Sequence, residues 1–239
     1  MIRLATFPFR PLSRLFRWLM RSQPKEASTW PRWRAVRWLR AALIRGVGVP
    51  VLRALYRVDV QGREHFGMVT GPCLVVSNHS MHLDWAMLLS AMPGRFRRRV
   101  MVGAASTDIY GNRMRGFGAS LVGNAFPLAK EGSGIRESLE FVTAMLAEGW
   151  NVMIYPEGKL TTGGEMQPFL PGIGWLAVRA GVDILPMRVD LLRPGFRDGR
   201  WLPFPRGRVR VHVGRPVKVE RRTSYADVAA VMERAVREA

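Results

Sequence analysis

From Val58 onward the chain alternates short β-branched, apolar runs with longer helix-forming stretches, and this alternation restricts it to an α/β domain with a largely parallel sheet. Strands are expected at Val58–Val60, Cys73–Ser77, Arg99–Gly103, Ala125–Leu128, Val152–Tyr155, Ile184–Val189 and Val209–Val213. Helices fit between them at Leu83–Ala91, Asp108–Gly116, Ile135–Glu148 and Ile173–Ala180. A last helix from Tyr225 to Glu238 starts at a Thr223 or Ser224 cap, with Asp227 in its first turn. The expected fold is therefore a mostly parallel mixed sheet flanked by helices. Pro186 falls inside the Ile184–Met187 strand pattern, which implies an edge strand or a bulge close to a ligand.

The positive charge is unevenly placed. Residues 1–57 hold twelve arginines and Lys25 against Glu26 alone, a net +12 of the chain's +19. Within Arg10–Ser22, Leu12, Leu15, Phe16 and Leu19 share one side of a helix, while Arg10, Arg14, Arg17 and Arg21 take the other. Pro11 suits its first turn, and Gln23–Ser28 reads as a break before a second helix over Pro31–Leu55. Gly46, Gly48 and Pro50 should kink or split that helix, whose segment carries Trp30, Trp33 and Trp38 among its arginines. Arginine and tryptophan on an amphipathic helix suit the interface of an anionic membrane. A nucleic-acid arm and a helix docking its leucine face on its own domain are the competing readings, but phosphate tracking needs no apolar face, so no nucleic acid is expected.

Other features narrow the class. At 48% hydrophobic and 23% charged residues, the chain can bury a sizeable core. A single cysteine, Cys73, excludes an internal disulfide and fits a reducing compartment, and no Cys/His cluster has zinc spacing, so no metal is expected. The longest uncharged stretch, Phe66–Leu83, is too polar to span a bilayer, and arginines interrupt any secretory pattern at the N-terminus. The expectation is a peripheral or monotopic protein on the cytoplasmic face of a membrane.

Three strand ends carry chemistry. After Cys73–Val76 comes Ser77-Asn78-His79-Ser80-Met81-His82-Leu83-Asp84. In a continuous helix His79 and Asp84 would point about 140° apart, but a loop-borne His79 can fold back onto an Asp84 in the helix's first turn. The carboxylate would then fix the imidazole tautomer and leave the other nitrogen as a general base. His82 can line the same pocket; a His79/His82/Asp84 metal site matches no zinc spacing. Alternatively, Asp84 is a helix-start charge and His79 a turn residue. Lys130 closes Gly123–Lys130 at a strand's C-terminal end, where open α/β sheets bind ligands, and is a candidate anion-binding residue or a solvated loop lysine. In Tyr155-Pro156-Glu157-Gly158-Lys159-Leu160-Thr161 the Pro and Gly free backbone N–H groups that can face an oxyanion, and Lys159 and Thr161 offer donors; the plain alternative is a strand-ending turn.

In this order the blocks resemble those of the glycerolipid acyltransferase family, which includes lysophosphatidate and glycerol-3-phosphate acyltransferases, over roughly residues 70–190. His79 and Asp84 match its histidine, four residues, aspartate block, Phe126–Lys130 its second, Tyr155–Thr161 its Phe-Pro-Glu-Gly block, and Ile184–Met187 its fourth. The resemblance implies an enzyme, with residues 58–239 as its acyltransferase domain behind an N-terminal arm, 1–57. It implies transfer of a fatty acyl group from acyl-CoA or acyl carrier protein to a hydroxyl of a lysolipid or glycerol phosphate in phospholipid biosynthesis or remodelling, without a cofactor. His79 and Asp84 would be catalytic, and Asn78, Lys130, Glu157, Gly158, Lys159 and Thr161 would bind substrate. Members usually have arginine at the place of Lys130 and Thr-Arg-Ser at the place of Lys159-Leu160-Thr161, so the acceptor headgroup stays open. The alternative is a non-catalytic basic module that binds lipid surfaces or nucleic acid.

Overall fold

The computed structural model describes residues 29–129, 132, 134–161, 165–192, 207–219 and 224–239. The basic helix expected over Arg10–Ser22, and Lys130, lie outside the described residues.

The strands are β1 (Tyr56–Gln61), β2 (Cys73–Ser77), β3 (Val100–Ala105), β4 (Ala125–Leu128), β5 (Asn151–Ile154), β6 (Asp183–Leu191) and β7 (Gly207–Val213). They form one sheet in the order β1-β7-β6-β2-β5-β3-β4. Neighbours are parallel except β6 and β7, so β1 and β7 run against the other five. The helices are α1 (Arg34–Leu43), α2 (Val49–Leu55), α3 (Asp84–Ala91), α4 (Gly94–Arg97), α5 (Arg113–Gly123), α6 (Gly134–Ala147), α7 (Pro171–Ala180) and α8 (Tyr225–Arg237). Side chains alternate across β2: Cys73 and Val75 enter a core with Leu52, Met87 and Leu88, whereas Leu74 and Val76 meet Val142, Leu176 and Met232. Both faces are covered, so every residue of β2 is buried. All seven expected strands are present, in a mixed, mostly parallel sheet flanked by helices.

One expectation needs correction, and another narrows to one of its two alternatives. The helix expected over Asp108–Gly116 instead occupies Arg113–Gly123, because Asn112 accepts the N–H groups of Met114 and Arg115 at 3.0 and 3.1 Å and caps it. Asn124, at φ 52°, closes it. Pro186 is on no edge, since β6 lies between β7 and β2. It does sit at a bulge. Met187 pairs with Val213 and Ile184 bridges Val217, so three steps along β6 oppose four beyond β7. The missing N–H falls in that irregular stretch, while the Pro186 carbonyl accepts the Gly214 N–H at 2.8 Å.

Helix continues from Arg34 to Leu55, and where Gly46, Gly48 and Pro50 forecast a kink a π-helical segment, Ile44–Gly48, joins α1 to α2. Pro50 follows directly on this segment, as the second residue of α2, so the irregular turn falls where an interior proline cannot donate to the helix. Arg40 fastens this helix to the domain: its Nε donates to Leu121 O at 2.7 Å and its Nη2 to Ser120 O and Pro31 O at 3.0 and 2.8 Å. Two of those carbonyls end α5, where a cation is favoured. Trp30 stacks on Phe117, with ring centroids 5.3 Å apart. On the outside, Leu39, Leu43, Val47 and Val51 are exposed at four-residue steps, beside an exposed Trp38. Four residues overshoot an α-helical turn by about 40°, and the wider i→i+5 turn in the middle takes back part of that drift.

The α7–α8 contact is backbone to backbone. A Cβ on Gly174 would come within 1.9 Å of Tyr225 O, whereas one on Gly172 meets nothing nearer than Leu139 Cδ1 at 4.0 Å. Gly174→Ala should therefore destabilise the domain by about 3 kcal/mol, a melting shift of about 6–12 °C. Gly172→Ala should leave it unchanged or slightly raised. Equal melting temperatures for the two variants would refute the close approach.

Candidate active site

β2, β5 and β6 bring the quoted blocks together at one end of the sheet. Beyond Ser77, Asn78 bridges β2 to β6: its Oδ1 accepts Val189 N–H at 2.8 Å and its Nδ2 donates to Val189 O at 3.0 Å. This clamp fixes where the chain leaves the sheet, and His79 follows directly.

Asp84 is the first residue of α3 and is fully buried. Its Oδ2 accepts Ser80 N–H at 2.6 Å and Met81 N–H at 2.9 Å, and lies 3.3 Å from His79 Nδ1. The helix-start role and the pairing with His79 thus coexist in one carboxylate. Burial pushes the Asp84 carboxyl above its ordinary range, against the pull of hydrogen bonds from His79, Met81 and Ser80. With Nδ1 turned to Asp84, Nε2 is the nitrogen left for a substrate, on a side chain 24% exposed. Tyr155 stacks on the imidazole, with centroids 4.3 Å apart and planes 21° apart. Its hydroxyl is buried, and burial together with the nearby Asp84 holds its pKa well above the usual tyrosine value.

Glu157 ties the second loop to the first. Its Oε1 accepts His79 N–H at 2.7 Å, while Oε2 accepts Thr161 Oγ1–H at 2.5 Å and Gln167 N–H at 2.7 Å. Thr161 N–H donates in turn to His79 O at 2.7 Å. The His79 backbone is therefore held from both sides by a segment 78 residues away in sequence. Gly158 turns at φ 69°, and its N–H closes that turn on Tyr155 O at 3.1 Å, so this group is not pointed at a reacting oxygen.

His79, Asp84, Asn78, Glu157, Gly158 and Thr161 thus gather at one site, with the polar atoms of Asn78, Glu157 and Thr161 hydrogen-bonded within the protein. Lys159 and His82 are exposed near by in sequence. Among the described residues, no three His, Cys, Asp or Glu side chains converge as a metal site. Sequence reading overlooked the stacking of Tyr155, the Val189 clamp and the Gln167 N–H. Only Tyr155 lay within a quoted block. A histidine aligned by a buried carboxylate and an aromatic ring, with one nitrogen accessible, can take a proton from a hydroxyl.

The acyltransferase family model matches residues 57–190. Human 1-acyl-sn-glycerol-3-phosphate acyltransferase alpha is 32% identical over 179 residues, 74% of this chain and 60% of the relative. The bovine enzyme of the same name is 32% identical over 165 residues, 69% of this chain and 55% of the relative. The chain thus spans little more than half the length of these relatives. The crystal structure of the 1-acyl-sn-glycerophosphate acyltransferase PlsC from Thermotoga maritima superposes with a TM-score of 0.62 at 19% identity, covering 94% of this chain and 89% of that one, a likeness of fold.

Proposed function

The chain belongs to the glycerolipid acyltransferase family, and from that premise we propose that it moves a fatty acyl group from a thioester, of CoA or acyl carrier protein, to a hydroxyl of a lysophospholipid or glycerol phosphate. The observation that carries this reading is the His79 Nδ1–Asp84 Oδ2 contact on a loop held by Glu157. His79 Nε2 takes the acceptor's proton as its oxygen attacks the thioester carbon, and Asp84 stabilises the imidazolium that forms. When the tetrahedral intermediate collapses, the C–S bond breaks and the imidazolium returns its proton to the thiolate. One C–O bond replaces one C–S bond. General-base assistance of this kind supplies about 10²- to 10⁴-fold. Lys159, and Lys130 outside the described residues, are the cations we assign to the acceptor's phosphate. As point charges they give less geometric discrimination than the family's usual arginine.

Whichever acceptor serves, the acylated product is a lipid, so we place the protein on an anionic membrane surface at its cytoplasmic face. The exposed Trp38, Leu39, Leu43, Val47 and Val51 along the continuous helix from α1 to α2, with Arg45 exposed among them, support this reading. No helix among the described residues is long and apolar enough to cross a bilayer.

The deciding experiment follows thiol release from palmitoyl-CoA, and then from palmitoyl-acyl carrier protein, in detergent or vesicles. Its acceptor panel comprises lysophosphatidate, glycerol 3-phosphate and lysolipids with other headgroups. Release that depends on an acceptor identifies the transferase and its substrate. Silence with both donors across the whole panel would reject the proposal.

A further inference from the structure

One concentration of charge lies away from the candidate active site. Two adjoining cavities of about 300 Å³ each open between α1 and the α4 turn, and share Arg37, Trp38 and Arg98 in their walls. Arg45 and Arg97 help to line the first, Arg34 and Arg99 the second. Among the described residues no carboxylate pairs with any of these six guanidinium groups. Two donate to backbone carbonyls, Arg97 to Leu89 O at 3.2 Å and Arg99 to Gly149 O at 3.4 Å. Arg98 lies 6.0 Å from the Trp38 ring centroid and Arg37 lies 5.2 Å from that of Trp150, so aromatic faces hold the two shared arginines.

The charges act on one another. Burial lowers the Arg37 pKa first, followed by the fields of Arg99, Arg98 and Arg34; burial also leads for Arg97, followed by Arg45 and Arg98. Holding like charges around a cavity is unfavourable until an anion offsets them, and guanidinium forks match phosphoryl oxygens. The segment before the described residues brings only Glu26 as a carboxylate. We propose that this cradle binds a phosphoryl anion, with Arg37 and Arg98, common to both cavities, as its principal ligands.

The cradle is separate from the dyad. α4 runs into the N-terminal end of β3, and Arg99 O accepts Asn151 N–H at 2.8 Å at the start of β5. β2, β3 and β5 are parallel, and His79 and Glu157 follow the opposite, C-terminal ends of β2 and β5. At about 3.3 Å per residue, that sets the two sites on the order of 15 Å apart. α1, which lines the cradle, also carries the start of the exposed apolar row, and this favours the phosphate of a lipid headgroup over a free ion. That choice of source rests on the membrane-surface reading; the anion site itself does not.

The test uses the full chain and two charge-matched variants, Arg37→Gln/Arg98→Gln and Arg57→Gln/Arg208→Gln. The second pair is exposed and adjacent in register on β1 and β7. Each is measured by co-sedimentation with phosphatidylcholine vesicles, with and without phosphatidate, and by titration with inorganic phosphate. The cradle variant should lose at least about tenfold in affinity for phosphatidate vesicles, and the other pair much less. Loss of inorganic phosphate binding in the cradle variant alone supports the cradle with a free ion as sufficient ligand; loss confined to vesicles supports it with a headgroup as ligand. Equal weakening of both variants on vesicles, without phosphate binding, means diffuse charge and overturns the proposal, as does a cradle variant that binds both probes normally. A wild-type chain that ignores every vesicle ends the membrane-surface reading, and phosphate titration then decides the cradle alone. If the glutamine pair fails to fold, Arg37→Lys/Arg98→Lys removes the forks while keeping both charges.

Discussion

His79→Ala should lower turnover by about a thousandfold while the protein still folds and still sediments with anionic vesicles. The side chain sits on a loop held through its backbone, by Glu157 at the His79 N–H and Thr161 at the carbonyl, so truncation leaves both bonds in place. Asp84 keeps the Ser80 and Met81 N–H groups, which limits the cost of a buried carboxylate that has lost its imidazole. If the two groups act as one unit, His79→Ala/Asp84→Asn should be no slower than His79→Ala alone, whereas independent contributions would multiply. Turnover within threefold of wild type in His79→Ala would make the pair structural and leave the proposed base without support.

Glu157→Gln should cost about 3 kcal/mol of stability and about a hundredfold in turnover, despite preserving shape. Three donors converge on the Glu157 carboxylate, two of them backbone N–H groups that cannot turn away. An amide offers one oxygen, so whichever way glutamine turns, its NH₂ faces either His79 N–H or Gln167 N–H. Hydrogen bonds to a charged acceptor are worth about 1.5–3 kcal/mol each, and an unsatisfied buried donor adds its own penalty. The loop can relieve the conflict only by moving His79, and displacement of a reacting group by about 1 Å is enough for a hundredfold loss. Thermal unfolding and steady-state kinetics on one preparation check both parts. A variant with wild-type melting and turnover would mean that the carboxylate does not position the loop.

Much of this arrangement was legible in the residues because it depends on local chemistry. Apolar runs marked the central strands, since a strand buried on both faces, such as β2, has little other composition available, while β1 and β7 showed as alternation. The meeting of His79 with Asp84 needed only a loop followed by a first helical turn. Distant partnerships left no such mark. Nothing about Gln167 or Val189 distinguishes its backbone, yet each contributes a hydrogen bond that fixes the site, and backbone groups carry no residue code. Pro186 was legible only in part: its missing N–H called for a break in the ladder, but where that break falls depends on how β7 ends, some thirty residues later. The shifted α5 reflects a cap outweighing propensity, with Asn112 deciding where the helix begins.

Arg40 joins the helix α1 to the body of the fold through two backbone carbonyls of α5, with a third bond to Pro31 O in its own segment and, among the described residues, no carboxylate. An anionic bilayer attracts hydronium as it attracts arginine, and a surface potential of about −30 mV lowers the interfacial pH by about half a unit. A joint that relied on a histidine, with an ordinary pKa of about 6.5, would change charge across that half unit. Neither amide oxygens nor a guanidinium titrate in this range, so on the proposed anionic surface the attachment would be indifferent to the proton gradient.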